Sequence, residues 1–278
     1  EAADWKIFMP KLNLQLEIPV MIDSSNTSAL EVALKNYGGK VIINSINLED
    51  GGKRAQETID LGREFGAAVV ALTIDENGLA RTAEEKLRVA SRLYDLLVNK
   101  NNFKPADIFF DPLTLSLASG DRHYADAGRE TLEAIRLLKE KFPQSQTILG
   151  ISNISYGLPA ELRPYINSIF LSLALEAGLD AAIIHHSKIM PLQKIPRKVL
   201  KLGRDLILNR RRPGYDPLAE LLGEQLSLSS ATSSSSRQRV VPEKVLVEAV
   251  VNGESARIEA LTKELLKKYS PLEIINKF

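Results

Sequence analysis

Short apolar runs alternate with longer amphipathic stretches six times along this chain, and that alternation constrains the fold more than any other feature. The runs lie at Pro19 to Asp23, Val41 to Asn44, Ala67 to Thr73, Asp107 to Asp111, Thr147 to Ile151 and Ala181 to His185. They are too short for ordinary helices, and their near-continuous apolar character suits strands covered on both faces. Helical spacing follows near Lys53 to Phe65, Ala83 to Asn99, Ala125 to Lys141, Glu161 to Ala177 and Pro196 to Arg210. Between the first two runs, SSNTSALEVALKNYGG predicts a helix capped by Asn26 or Thr27 and ended by Gly38-Gly39. Such alternation predicts βαβ units on a parallel sheet. Six units is two short of a closed (β/α)8 barrel. The expected class is α/β: either the sheet is open, or two units of a TIM-barrel-type domain are missing, and the helix-like start before the first run favours their loss at the N-terminus.

Four of the apolar runs break off at a carboxylate or a carboxamide: PVMID at Asp23, KVIIN at Asn44, DIFFD at Asp111 and TILGISN at Asn153. Barrels of this class build their sites at the C-terminal rim of the strands, where such residues can converge. Each also has a plainer reading. An Asp at a strand end can cap the next helix, Asn44 can serve a turn, and Asn153 can form an Asx-turn. Asp75, in TIDENG, is either a rim residue or turn chemistry.

Lysine plus arginine total 36 and aspartate plus glutamate 35, so the net charge is +1 and offers no basic face for nucleic acid. The run Arg210-Arg211-Arg212 reads as a solvated helix end. With no cysteine, neither a disulfide nor a thiolate metal site is possible, which fits a cytoplasmic protein. The longest apolar stretch, Ile169 to Ile184, is interrupted by Glu176 and Asp180, so no membrane span is predicted. The chain opens on EAADWKIFMPKLN, which has helical character and lacks an initiator methionine; a fragment of something longer is expected. Three parts are expected: a barrel domain over 1–222, a Ser-rich linker over 223–240 and a helical segment over 241–278, broken at Asn252-Gly253.

The segments MIDSSN (Met21 to Asn26), INSIN (Ile43 to Asn47), FDPLTLSLASG (Phe110 to Gly120) and GISNISYG (Gly150 to Gly157) resemble the pterin-binding domain of the cobalamin-dependent methionine synthase family. AGLDAAIIHHSKIMPL (Ala177 to Leu192) is similar to that family's last barrel strand. The tail from Glu243 resembles the start of the helical cap of an adjoining cobalamin-binding module. The resemblance runs in order over nearly the whole chain. It implies a methyltransferase of methionine biosynthesis that binds 5-methyltetrahydrofolate in a (β/α)8 barrel. The methyl group would go to cob(I)alamin on the neighbouring module of the same polypeptide. It also implies that the first two barrel strands, the homocysteine- and zinc-binding domain and most of the cobalamin domain lie outside this chain.

The chemistry of the residues agrees. A pterin ring carries a 2-amino group beside N3–H, a pair that a carboxylate such as Asp111 or Asp23 accepts in bidentate fashion. Asn44 can donate and accept. The resemblance places Asn153 at N5, where a neutral amide would stabilise the protonated form. Secondary candidates are Asp75, Ser152 beside Asn153, Tyr156 where relatives carry Phe or Gln, Arg163 for the folate glutamate tail, and His185. The family has Asn where this chain has His185-His186; neighbouring strand residues face opposite ways, so these two are poorly placed to share a metal, and no metal is assigned. Alternatives are a free-standing methyltetrahydrofolate:corrinoid methyltransferase, a dihydropteroate synthase-like enzyme with Lys188 as its basic residue, and a non-catalytic folate-binding module. A six-stranded sheet would leave an open edge, so low stability of the isolated chain is expected.

Overall fold

Six parallel strands follow one another across a single sheet in the order in which they occur in the chain. They are β1 (Val20–Asp23), β2 (Val41–Ile46), β3 (Ala68–Leu72), β6 (Ile108–Asp111), β7 (Gln146–Gly150) and β8 (Ala181–Ile183). The computed structural model describes residues 2–118, 124–232, 246–247, 249–250 and 255–277. Consecutive parallel neighbours joined by helices are the topology of a (β/α) barrel with six of its eight units. β1 and β8 are the outer strands of this sheet. An antiparallel pair, β4 (Ile74–Asp75) and β5 (Gly78–Leu79), follows β3. It falls on the TIDENG segment and Leu79, where the sequence offers a rim residue or turn chemistry but no strand.

The chain divides into two compact units. The first comprises residues 1–113, 130–150 and 173–183 and, among the described residues, holds all the strands. Its helices are α1 (Ala2–Asn13), α2 (Thr27–Lys35), α3 (Lys53–Phe65), α4 (Ala83–Tyr94) and nearly all of α5 (Ala127–Lys141). Local chemistry fixes their ends. The Asn26 side chain accepts the Ala29 N–H and starts α2. Thr82 and Glu85 form a reciprocal capping box on α4. α2 stops at Asn36, ahead of the Gly38-Gly39 pair expected to end it. The region expected as one helix to Asn99 instead changes pitch, with a π-helix over Asp95–Lys100.

The core of this unit is built from Ile43, Val69, Ile108 and Phe110 of the sheet with Leu30, Ile59 and Leu93 of the helices, all almost fully buried. Each such side chain contributes roughly 1.5–3 kcal/mol by leaving water. The Phe110 ring packs against Phe142 with centroids 5.3 Å apart.

The second unit comprises residues 114–129, 151–172 and 184–278. It contains most of α6 (Arg163–Glu176), α7 (Arg197–Ile207), α8 (Pro217–Thr232) and two short helices over Ser255–Leu265 and Pro271–Lys277. Leu246, Leu265 and Ile274 pack together in that last part. α7 approaches α6 closely at Gly203, where a Cβ would stand 2.5 Å from the Ile169 side chain. Residues 223–232 of the expected linker complete α8 instead. Leu218, Leu221, Leu222 and Leu226 keep helical spacing into the serines, and their propensity outweighs that of serine. Residues 233–240 and the Asn252-Gly253 break lie outside the described residues.

The arginine run follows α7 and is paired locally. Arg210 lies 3.5 Å from the Asp205 carboxylate, Arg211 lies 3.3 Å from that of Asp216, and Arg212 sits 5.1 Å over the Tyr215 ring.

Candidate functional site

In the first unit, Asp23 and Asn44 are register partners on β1 and β2, so both stand at the C-terminal rim of the sheet. Asp23 is exposed and Asn44 half-buried. Asn44 is not the last residue of its strand, as KVIIN suggests. β2 runs on to Ile46, with a register shift between Asn44 and Ile46 that leaves Ser45 unpaired. The two side chains line a cavity of about 140 Å³ with Ser24, Asn47, Arg54 and Thr58. That is smaller than the few hundred Å³ of an ordinary ligand pocket, so it suits one edge of a ring system.

Asp111 ends β6 and is buried, at 5% exposure. Its Oδ1 accepts the Leu113 N–H at 2.8 Å, and its main-chain oxygen accepts from the Thr73 N–H at 3.1 Å. Burial pushes its carboxyl up to about 7, against the opposing pull of the Leu113 N–H and of Lys86. Lys86 itself is buried on α4, and its Nζ donates to the carbonyls of Pro112 and Leu113. Its pKa falls to about 8 through burial, opposed by Asp111, Glu130 and Glu85.

Sequence reasoning missed Lys86. The signal was present: the buried residues of α4 are Ala83, Lys86, Val89, Ala90 and Leu93, so a lysine stands in the apolar stripe. Asn47 and Arg54, on the cavity wall with Asn44, were missed as well; Asn47 closes the INSIN segment, while nothing in the local sequence marks Arg54.

Asp75 is 1% exposed, and its oxygens are already engaged. Oδ1 accepts the Asn77 N–H at 2.9 Å, while Oδ2 lies 3.0 Å from Arg88 and 3.1 Å from Arg92. Burial alone would raise its carboxyl, but the Asn77 N–H and the two arginines outweigh it and hold the carboxyl below the usual range. This geometry fastens the β4–β5 turn to α4.

The second unit holds Asn153, Ser152, Tyr156, Arg163 and His185. The strand expected to run to Ile151 ends at Gly150, and a 3-10 helix over Ile151–Ser155 carries Ser152 and Asn153, both exposed. Strand alternation therefore does not separate these two. Tyr156 is 56% exposed. Ser152, Arg163 and His185 line a cavity of about 200 Å³ with Asn167 and Lys188; neither Asn153 nor Tyr156 lines it. The Ser155 hydroxyl donates to Asn167 Oδ1 at 2.7 Å and lies 3.5 Å from Arg163 Nε.

The histidine pair departs from expectation. β8 ends at Ile183, so strand alternation does not reach His185 and His186. The chain turns into a short 3-10 helix at His186, and the two rings stack with centroids 5.2 Å apart. Among the described residues, no group of three or more His, Cys, Asp or Glu is arranged to hold a metal ion, and no helix is long and apolar enough to cross a membrane.

Methionine synthase of Mycobacterium tuberculosis (strain ATCC 25618 / H37Rv) is 41% identical over 281 residues, which cover 99% of this chain and 24% of that protein. Methionine synthase of Mycobacterium leprae (strain TN) is 40% identical over 281 residues, covering 99% of this chain and 23% of the other. The chain thus spans about a quarter of the length of these curated relatives. A solved dihydropteroate synthase from Coxiella burnetii in complex with pteroic acid has a TM-score of 0.48 at 14% identity, with 74% of each chain covered. The family description "Pterin binding enzyme" matches residues 1–185, well over half of the 278. The chain belongs to the pterin-binding enzyme family.

Proposed function

We propose that this chain binds 5-methyltetrahydrofolate by its pterin ring and presents the N5-methyl group for transfer during methionine synthesis. The observation that carries the reading is the buried carboxylate of Asp111 at a strand end, with Oδ1 committed to the Leu113 N–H. A pterin's N3–H and 2-amino group supply the two further donors that such a desolvated carboxylate calls for. Asp23 and Asn44, paired at the rim, would take other polar atoms of the ring. The likeness to methionine synthases over 99% of the chain supports the choice of a folate.

On this reading the bond from the methyl carbon to N5 breaks with its electron pair left on N5, and protonation there makes the departure feasible. Asn153 would hydrogen-bond to N5 and favour the protonated form. That role rests on the sequence motif GISNISYG and is a separate proposal from the ring contacts. Cobalamin, carried by an adjoining module, would supply the nucleophile that accepts the methyl group. Residues 1–222 then form the folate-binding part and residues 241–278 the start of a helical cap next to that cofactor.

A second reading, a dihydropteroate synthase-like condensation, draws on one observation: Arg163, His185 and Lys188 share a cavity suited to an anion. Calorimetry separates the two. The first reading expects 5-methyltetrahydrofolate to bind the purified chain, at least tenfold more weakly to Asp111→Asn and more weakly to Asn153→Ala. Binding of a pterin pyrophosphate, with none of any reduced folate, would favour the second. Failure of all these ligands to bind would leave a non-catalytic module.

A further inference from the structure

Lys86 is a charged group that the proposed chemistry does not use, yet it lies inside the first unit at 2% exposure. A leucine at this place in the α4 stripe would fill the space without desolvating an ammonium group, which is costly unless the charge is partnered. Its partners are specific. Nζ donates to the Pro112 carbonyl and, at 3.0 Å, to the Leu113 carbonyl. Leu113 has a left-handed backbone, with φ of 54°, which a leucine adopts only when its surroundings enforce it. In that conformation its N–H reaches Asp111 Oδ1 at 2.8 Å. The Thr131 hydroxyl donates to the Leu113 carbonyl at 2.9 Å and buttresses the same turn.

We propose that Lys86 is a positioning residue for Asp111: its ammonium group fixes the Pro112–Leu113 turn that clamps Oδ1, and its charge offsets part of the burial of the carboxylate and holds it ready for a ligand's paired donors. The ligand part of this inference rests on reading Asp111 as the pterin partner; the effect on Asp111 itself does not. Asp111 faces Lys86 and the Leu113 N–H, while Lys86 also feels Glu130 on α5 and Glu85 on α4, which oppose the effect of burial on the ammonium group. The balance is set between groups that titrate close to neutrality, so the carboxylate's charge, and ligand binding with it, should change over the physiological range.

The test uses the full chain and two variants. Lys86→Gln keeps a donor for the carbonyls and removes the charge; Lys86→Met removes both. The Asp111 carboxyl is followed by ¹³C NMR titration, assigned by its disappearance in Asp111→Asn. The proposal expects its midpoint to rise by at least one pH unit in Lys86→Gln. Binding of 5-methyltetrahydrofolate at pH 7 should then fall about fivefold, as the ionised fraction drops from about a half to about a tenth. Lys86→Met should lose more affinity than Lys86→Gln at pH 8.5, because the turn is then also released. An unmoved Asp111 midpoint in a folded Lys86→Gln overturns the proposal, whatever binds. A midpoint that moves in Lys86→Gln, with no folate bound by the wild-type chain, upholds the proposal and removes the pterin reading instead.

Discussion

Asp23 and Asn44 stand opposite each other in register on β1 and β2, and both line one small cavity. Asp23 is exposed on the rim and α2 does not need it, since Asn26 provides that helix's cap. Asp23→Asn should therefore leave thermal stability within about 0.5 kcal/mol of wild type, as at ordinary surface positions. Loss of a hydrogen bond to a charged group should weaken reduced-folate binding by roughly 1.5–3 kcal/mol, about tenfold or more. Melting and calorimetry on one preparation check both halves. A large fall in melting temperature would make Asp23 structural instead.

Asp111 carries a stability cost with a defined pH dependence. Its carboxyl is raised from 3.8 in the unfolded chain to about 7 in the fold. Between those values the folded chain binds the extra proton, so stability from this group falls as pH rises, and the cost of the buried charge is complete only above about 7. Asp111→Asn should melt higher than wild type at pH 8, by on the order of 2–4 kcal/mol. At pH 5 the gap should be clearly smaller. The same variant should bind folate poorly, which separates stability from function. Equal gaps at both pH values would remove the buried-charge argument.

Asp75 has the opposite sign. Its carboxyl is held below 3.8, so it stabilises the fold at neutral pH and loses that contribution as pH falls through the lowered value. Arg88 and Arg92 are about half exposed, which limits the worth of the pairs. Asp75→Asn should cost about 1–3 kcal/mol at pH 7, mainly from the buried acceptor's lost charged hydrogen bonds. Denaturant titration at pH 7 and pH 3 should show the difference shrink at the lower pH. A variant as stable as wild type at pH 7 would contradict the clamp.

Two helical glycines should respond in opposite directions to alanine. In helix interiors the change ordinarily stabilises by up to about 1 kcal/mol. At Gly223 on α8 an added Cβ would meet nothing within 4 Å, so this position should follow that rule. Gly128 on α5 would place its Cβ 2.6 Å from the Ile207 carbonyl oxygen, and backbone cannot step aside as a side-chain tip can. Gly128→Ala should therefore destabilise by about 1–3 kcal/mol, the range for overpacking. Parallel thermal melts decide the matter, and a stabilised Gly128→Ala would show that the contact is looser than it stands.

The elements most legible in the sequence depend on neighbouring residues alone. The helical spacing near Lys53 to Phe65 matches α3, Lys53–Phe65, because an apolar stripe runs into a C-terminal Gly66 with left-handed backbone. Asn26 is a candidate cap by its sequence and a cap in the fold. Less legible are features where several chain segments meet. The β4–β5 hairpin is too short to show a period, and the 3-10 helix over Ile151–Ser155 begins inside an apolar run that reads as strand. The bulge at Ser45 leaves no mark in VIINSI. Helix propensity carries α8 on to Thr232, across residues whose serines read as linker.

The order of polar residues at the ends of apolar runs, set by period and strand length, was determined by the sequence itself, and with it the parallel sheet and the candidacy of Asp23, Asn44 and Asp111. Only the tertiary structure decided how those groups are charged and engaged. It buries Asp111 beside Lys86, although 25 residues separate them in the chain, and it gives Asp75 to two arginines. The physical reason is range. Helix caps and strand periods come from contacts within a few residues, whereas desolvation and ion pairing are set by whichever side chains folding brings together.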